Sequence, residues 1–175
     1  MGIEDYDHIA IDFWCGADSV KLHRRLPRFF TNHHFEAMPA PLAGFARDQA
    51  LHRPGAFEQK TREVMERQER LLEKHDRLVV FGIPLLWIAM IRAAGGRVSR
   101  SLVERAGSLF TRWDLIIVPG DGVLSPGSWY GEPGRLLSAQ GEAWATGADL
   151  IDPERQRLVT LDGLIDEMKE RSLWR

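Results

Sequence analysis

The chain has a single cysteine, Cys15, so no intrachain disulfide can form, and a cysteine-based zinc site would need ligands from elsewhere. A reducing, cytoplasmic setting is the expectation. An excess of either charge is also missing: 23 Lys and Arg stand against 25 Asp and Glu, a formal net charge of -2. That balance removes the global basic field that nucleic acid or an anionic membrane would call for. Long apolar runs are absent too. The longest block, Leu78 to Ile91, is broken by Gly82 and Pro84, and Met1 to Asp7 is acidic and polar. Nothing approaches the roughly 18 residues that read as a membrane span. Neither nucleic-acid binding nor membrane insertion is expected, and no internal repeat or low-complexity tract is present.

What is there suits one compact domain over residues 1–175, since 44% of the residues are apolar and the length supports one core. His8 to Phe13 reads as a core strand running into a glycine-containing turn. Asp18 to Phe30 follows as a helix with Val20, Leu22, Leu26 and Phe29 on one stripe, and Pro27 argues for a kink or an early end. Thr31 to Glu36 holds a candidate second strand, and the prolines at 39 and 41 mark a turn before a small helix through Phe45. Phe57 to Lys74 reads as a long amphipathic helix, and Asp76 to Phe81 as a buried strand. Leu85 to Ala94 is a helix stopped by Gly95-Gly96. A further helix spans Ser99 to Arg112, and Asp114 to Val118 is the clearest strand. Pro119 to Gly147 is rich in Gly, Pro and Ser and reads as a mobile segment. Ala148 to Ile151 and Leu158 to Val159 are strand candidates, and Leu161 to Arg171 is a terminal helix. The alternation implies a mostly parallel, five-stranded sheet with helices on both faces, an α/β three-layer fold.

In such a fold ligands bind at the carboxyl ends of strands, so the turn after the first strand is where function is sought. Phosphate binding there needs glycines that admit backbone N–H groups, a lysine and a helix N-terminus. The frame His8-Ile-Ala-Ile-Asp-Phe-Trp-Cys-Gly-Ala-Asp-Ser-Val-Lys-Leu-His-Arg-Arg-Leu26 resembles the opening of the deoxynucleoside kinase family, kin of the thymidylate kinases. In that family a strand enters a G-x-x-G-x-G-K-[ST] turn and then a helix. Gly16 and Ala17 match the middle of the turn, and Leu22 and Leu26 the helix. Phe13 stands where the first glycine belongs, Asp18 where the last belongs, and Ser19 where the lysine belongs. Phe13 adds bulk and Asp18 a negative charge where a polyanion would sit. Lys21, two positions on, is the nearest substitute cation.

The resemblance extends at low identity along nearly the whole chain and implies a P-loop kinase-like fold. Phe35-Glu36-Ala37-Met38-Pro39, with Leu42 and Phe45, looks like the family's E-P-x-E-E-N-P segment. On that register His33 takes the place of the general base and Met38 that of the asparagine, while Glu36 keeps the neighbouring acid. Leu78 to Leu86 looks like the strand that ends in D-R-[ST], with Gly82 and Ile83 at the Asp and Arg positions. Asp114 to Val118 resembles the next strand, and Ala148 to Asp152, through the helix ending near Glu170, the final strand and helix. Where the family's lid carries an arginine cluster, Gly120 to Gly147 has only Arg135. Turn, base, D-R motif and lid are all altered, which implies a pseudoenzyme.

Other readings of these residues stay open. His33 and His34 could be a base or a metal pair, but neighbours on an extended segment point to opposite faces and do not chelate one ion; a strand-end pair without a catalytic task is the simpler reading. Cys15 could be a reactive thiol at a helix N-terminus, or small filler beside Asp18. Trp14, Trp129 and Tyr130 are candidates for a partner surface, or for filling the volume a nucleotide would occupy. The charge run Glu58 to Arg77 reads as a solvated face with i,i+4 pairs such as Glu63 with Arg67.

Three functional readings follow. The first is a catalytically inactive relative of the deoxynucleoside kinases, acting as a structural or regulatory subunit that binds a protein partner or assembles as a homo- or hetero-oligomer. In it Gly16, Ala17, Ser19 and Lys21 form a vestigial nucleotide turn, and neither a cofactor nor a metal is expected. The alternative is a nucleoside- or nucleotide-handling enzyme with a rearranged site built from Lys21, His33 and Glu36, and that reading alone calls for ATP and magnesium. A module holding a nucleoside without phosphates is the third.

Overall fold

The computed structural model describes residues 2–12, 19–37, 52–82, 99–118 and 154–175. After a short 3-10 turn at Ile3–Asp5, the strands are β1 (His8–Asp12), β2 (His34–Ala37), β3 (Leu78–Gly82), β4 (Leu115–Val118) and β5 (Arg157–Thr160). The helices are α1 (Ser19–Phe29), α2 (Pro54–Lys74), α3 (Arg100–Phe110) and α4 (Leu161–Glu170). The five strands form one sheet in the order β2-β3-β1-β4-β5, parallel at every pairing. This is the α/β architecture that the alternating pattern predicts. The small helix through Phe45, the helix Leu85–Ala94, the segment Pro119–Gly147 and the strand candidate Ala148–Ile151 lie outside the described residues.

Strand register divides the sheet into two faces. Ile9, Ile11, Val79, Phe81, Leu115 and Ile117 alternate onto one face and join Leu22, Leu26 and Phe29 of α1 and Leu161, Leu164 and Met168 of α4 in a single apolar cluster. Burial on this scale, at roughly 1.5–3 kcal/mol per large side chain, is what fixes both helices here. His8, His34, Glu36 and Val80 alternate onto the other face, where Arg67 of α2 reaches Glu36 with Nη2 2.6 Å from Oε1. α3 joins that layer through Arg105, whose Nε and Nη2 donate to the two carboxylate oxygens of Glu69 at 2.9 and 2.5 Å.

Local signals explain the element ends. Pro27 does not stop α1: the helix runs on to Phe29, and the Phe30 N–H bonds the Leu26 carbonyl at 2.9 Å. Proline removes one N–H, here the donor that would meet the His23 carbonyl, and the bond from Phe30 to Leu26 shows the helical ladder carried past it. α2 starts at Pro54, three residues before the apolar stripe begins at Phe57, because proline is favoured in a first turn that needs no N–H donor. Thr160 caps α4, its hydroxyl accepting the Gly163 N–H at 3.2 Å. At the other end of α4, Ser172 takes a left-handed φ of 57°, the Leu173 N–H returns to the Met168 carbonyl at 2.7 Å, and the Ser172 N–H to the Lys169 carbonyl at 3.0 Å. That closing turn sends Leu173 and Trp174 back against the apolar cluster.

One pairing departs from expectation. Arg67 turns to Glu36 on β2 at 2.6 Å rather than to Glu63 on its own helix, and Glu63 sits 3.7 Å from Lys60. A strand carboxylate at a half-buried position is less well hydrated than an exposed helical one, so it draws the guanidinium more strongly.

Candidate functional site

The connections fix where a ligand would sit. The chain leaves β1 for β2 on one side of the sheet and leaves β4 for β5 on the other, so β1 and β4 flank a topological switch point at their carboxyl ends. Those ends are Asp12 and Val118, flanked by Gly82 and Ala37 on one side and Thr160 on the other. The segments leaving β1, β2, β3 and β4 lie outside the described residues. With them go Phe13, Trp14, Cys15, Gly16, Ala17 and Asp18, together with Met38, Ile83, Trp129, Tyr130 and Arg135.

Of the four candidate turn residues, Gly16 and Ala17 lie outside the described residues, Ser19 opens α1 and Lys21 falls in its first turn. The Lys21 ammonium lies 4.4 Å from the centroid of the Trp174 ring. This cation–π contact, worth about 0.5–1 kcal/mol where water still reaches the cation, gives the lysine an intramolecular partner. Arg25 also meets this closing segment, through a hydrogen bond in which its Nη2 donates to the Arg175 carbonyl oxygen.

His33 stands just before β2, at the amino edge of the sheet. Its Nε2 is 2.6 Å from the Tyr6 carbonyl oxygen, and its ring meets Phe30 edge-on at 5.5 Å. A carbonyl only accepts, so Nε2 carries the proton and Nδ1 is the bare acceptor of the neutral ring, buried without a hydrogen-bond partner. Burial lowers its pKa below the usual histidine range, against the opposing pull of the Tyr6 carbonyl.

Glu36 lies on the face toward α2. Its carboxylate accepts from Arg67 and sits 3.0 Å from His34 Nε2, and the His34 ring stacks on His75 at 3.8 Å with 2° between planes. The Arg67 hydrogen bond is the main reason its carboxyl group titrates below the ordinary range, with His34 adding to it and partial burial opposing.

The three side chains are not brought together. Lys21 follows the carboxyl end of β1 on the α1 face, His33 precedes the amino end of β2, and Glu36 points to the α2 face. A general base has to come within hydrogen-bond reach of the group it deprotonates, beside the charges that hold the phosphates. His33 at the amino edge is turned away from the switch point. Among the described residues no group of three or more His, Cys, Asp or Glu side chains is arranged to hold a metal ion, and no helix is long and apolar enough to cross a membrane.

The polar structure that sequence reading missed gathers at the same amino edge. The His8 N–H donates to Asp114 at 3.0 Å, His8 Nε2 lies 3.2 Å from the His75 carbonyl, and Arg77 donates to the Glu4 carbonyl at 2.6 Å. Buried Gln156 donates to the Phe110 and Trp113 carbonyls at 2.8 and 2.9 Å, tying the end of α3 to the entry of β5. These contacts join residues far apart in sequence, and only the flanking positions of the strands hinted at them. No protein-family model matches the chain, and no curated protein matches it.

Proposed function

We propose that the chain is a non-catalytic α/β scaffold of the deoxynucleoside-kinase type, serving as a structural or regulatory protein-binding subunit. The observation that carries this reading is the dispersal of Lys21, His33 and Glu36 onto separate edges and faces, each already engaged within the chain. Phosphoryl transfer is almost entirely positioning and charge stabilisation around one point, so a cation, a base and an acid held apart supply none of it. The replacements at Phe13, Asp18 and Ser19 argue the same way from the sequence. Isothermal titration with ATP, GTP and deoxynucleosides, with and without magnesium, tests the proposal. The expected result is no heat of binding for the triphosphates. Magnesium-dependent ATP binding together with phosphoryl transfer to a nucleoside would sink it, and loss of that turnover in Lys21→Ala and His33→Ala would establish the enzyme reading instead.

A further inference from the structure

α1 and α4 share one apolar cluster, and their outward sides carry opposite charge. On α1, Leu22, Leu26 and Phe29 face the sheet, which turns Arg24 and Arg28 to solvent with Lys21 and Arg25 on the flank toward the chain's last residues. The helix contains no acidic residue. Among the described residues no carboxylate lies within ion-pair distance of Arg24 or Arg28. On α4, Leu161, Leu164 and Met168 are buried, and the opposite side carries Asp162, Asp166 and Glu170, all exposed. Only Asp166 has a cation near, Lys169 at 3.7 Å on the same helix.

We propose that this helical layer is a self-association surface, in which α1 of one copy lies against α4 of a second copy about a two-fold axis running along the helices. The spacing suits it. Arg24 to Arg28 and Asp166 to Glu170 are each one four-residue step, about 6 Å of helical rise, so the two stripes can meet in register. A two-fold operation satisfies both stripes at once, because each copy offers one of each sign. Nucleic acid or an anionic membrane fits less well, since the acidic stripe beside the basic one would repel it. Exposed ion pairs contribute little singly, so the association is reversible and salt-sensitive, and the charges chiefly set partner and orientation.

The inference names a partner for the protein-binding role proposed above and rests on that reading for its purpose. The two fail separately, because nucleotide titration decides the one and assembly state the other. The experiment is sedimentation of the full chain in about 0.05 M salt and in about 1 M salt, where the screening length falls to roughly 3 Å. Wild type should run as two chains in the first and one in the second. Arg24→Glu/Arg28→Glu and Asp166→Lys/Glu170→Lys should each run as single chains at low salt. Mixed in equal amounts they should restore the two-chain species, because each α1 again meets an α4 of opposite sign. Thermal melting of each variant checks folding. If a double variant does not melt cooperatively, the pair Arg28→Glu and Glu170→Lys replaces it under the same criterion. A wild type that sediments as one chain at low salt, reversed variants that keep the wild-type assembly, or a mixture of folded variants that stays monomeric would each overturn the proposal. So would a monomeric wild type that binds heparin, which would assign the α1 stripe to a polyanion.

Discussion

The two faces of the sheet are built on different physics. Toward α1 and α4 the contacts are dry: Ile9, Ile11, Leu22, Leu26, Ile117 and Leu164 are fully buried among other apolar side chains. Toward α2 and α3 the apolar residues Phe57, Met65, Leu102 and Phe110 are interleaved with buried Thr61, Gln68 and Gln156 and flanked by Glu36–Arg67 and Glu69–Arg105. A dry face gains stability from area and tolerates exchange of one apolar side chain for another of similar volume. The other gains less per contact but accepts only the arrangement in which its polar groups meet. The first holds the fold together, and the second selects one way of closing it.

The sharpest way to break that contrast is to cut one contact from each face. Leu22→Ala removes a fully buried side chain from the dry face and should cost about 2–5 kcal/mol, depending on how far α1 and the sheet collapse into the void. Urea unfolding measures it. On the opposite face, Glu69→Gln keeps the shape of the side chain but removes the charge facing Arg105, and half-exposed pairs of this kind are worth about 0.5–1 kcal/mol. Equal losses in the two variants would mean that the ion pairs carry as much of the stability as the apolar cluster, and the contrast would fall.

The same contrast accounts for what could be read beforehand. Strands β1, β3 and β4 are parallel and covered on both faces, so they appear in the sequence as short apolar runs whose limits fall close to the observed ones. β5 is harder to place, since 148–151 and 158–159 both read as strands; the ladder with β4 joins Leu115 to Arg157 and Val118 to Thr160, and 148–151 lies outside the described residues. The polar face was nearly invisible. Glu36 and Arg67 are 31 positions apart and Glu69 and Arg105 are 36 apart, whereas local periodicity reports only neighbours within a turn or two. Periodicity therefore pairs Arg67 with Glu63. The candidate site was legible only as a list of residues. His33 fell at the resembled family's base position, yet β2 begins one residue later, so the imidazole sits at the strand's entrance. No pattern of residue types shows on which side of a strand's first hydrogen bond a residue will fall.

His33 and His34 put the two faces side by side in consecutive residues, and the smallest expected effect is found there. His34 faces Glu36 and His75, while the His33 ring lies against Phe30 with Nδ1 buried. Burial lowers the His33 pKa, Arg77 pushes it the same way, and the Tyr6 carbonyl, Asp7 and Glu4 oppose. The folded state therefore takes up this proton at lower pH than the unfolded chain, whose histidines titrate near about 6.5. Stability from the neutral ring is complete above that value and is lost as pH falls from it through the folded pKa, because the unfolded state binds the proton first. His33→Gln retains an amide donor for Tyr6 and does not titrate, so the proton-linked loss disappears. The groups common to both proteins, including the carboxylates of Glu36, Glu58 and Glu69 that titrate below their ordinary range, cancel in the difference. Melting temperatures of the two proteins should keep a constant separation from about pH 8 to about pH 7, then shift in favour of the variant below about pH 6.5. A separation that stays constant throughout, or that shifts toward wild type in acid, would show that the His33 ring is as well hydrated as His34 and that the dry face does not extend to the amino edge of the sheet.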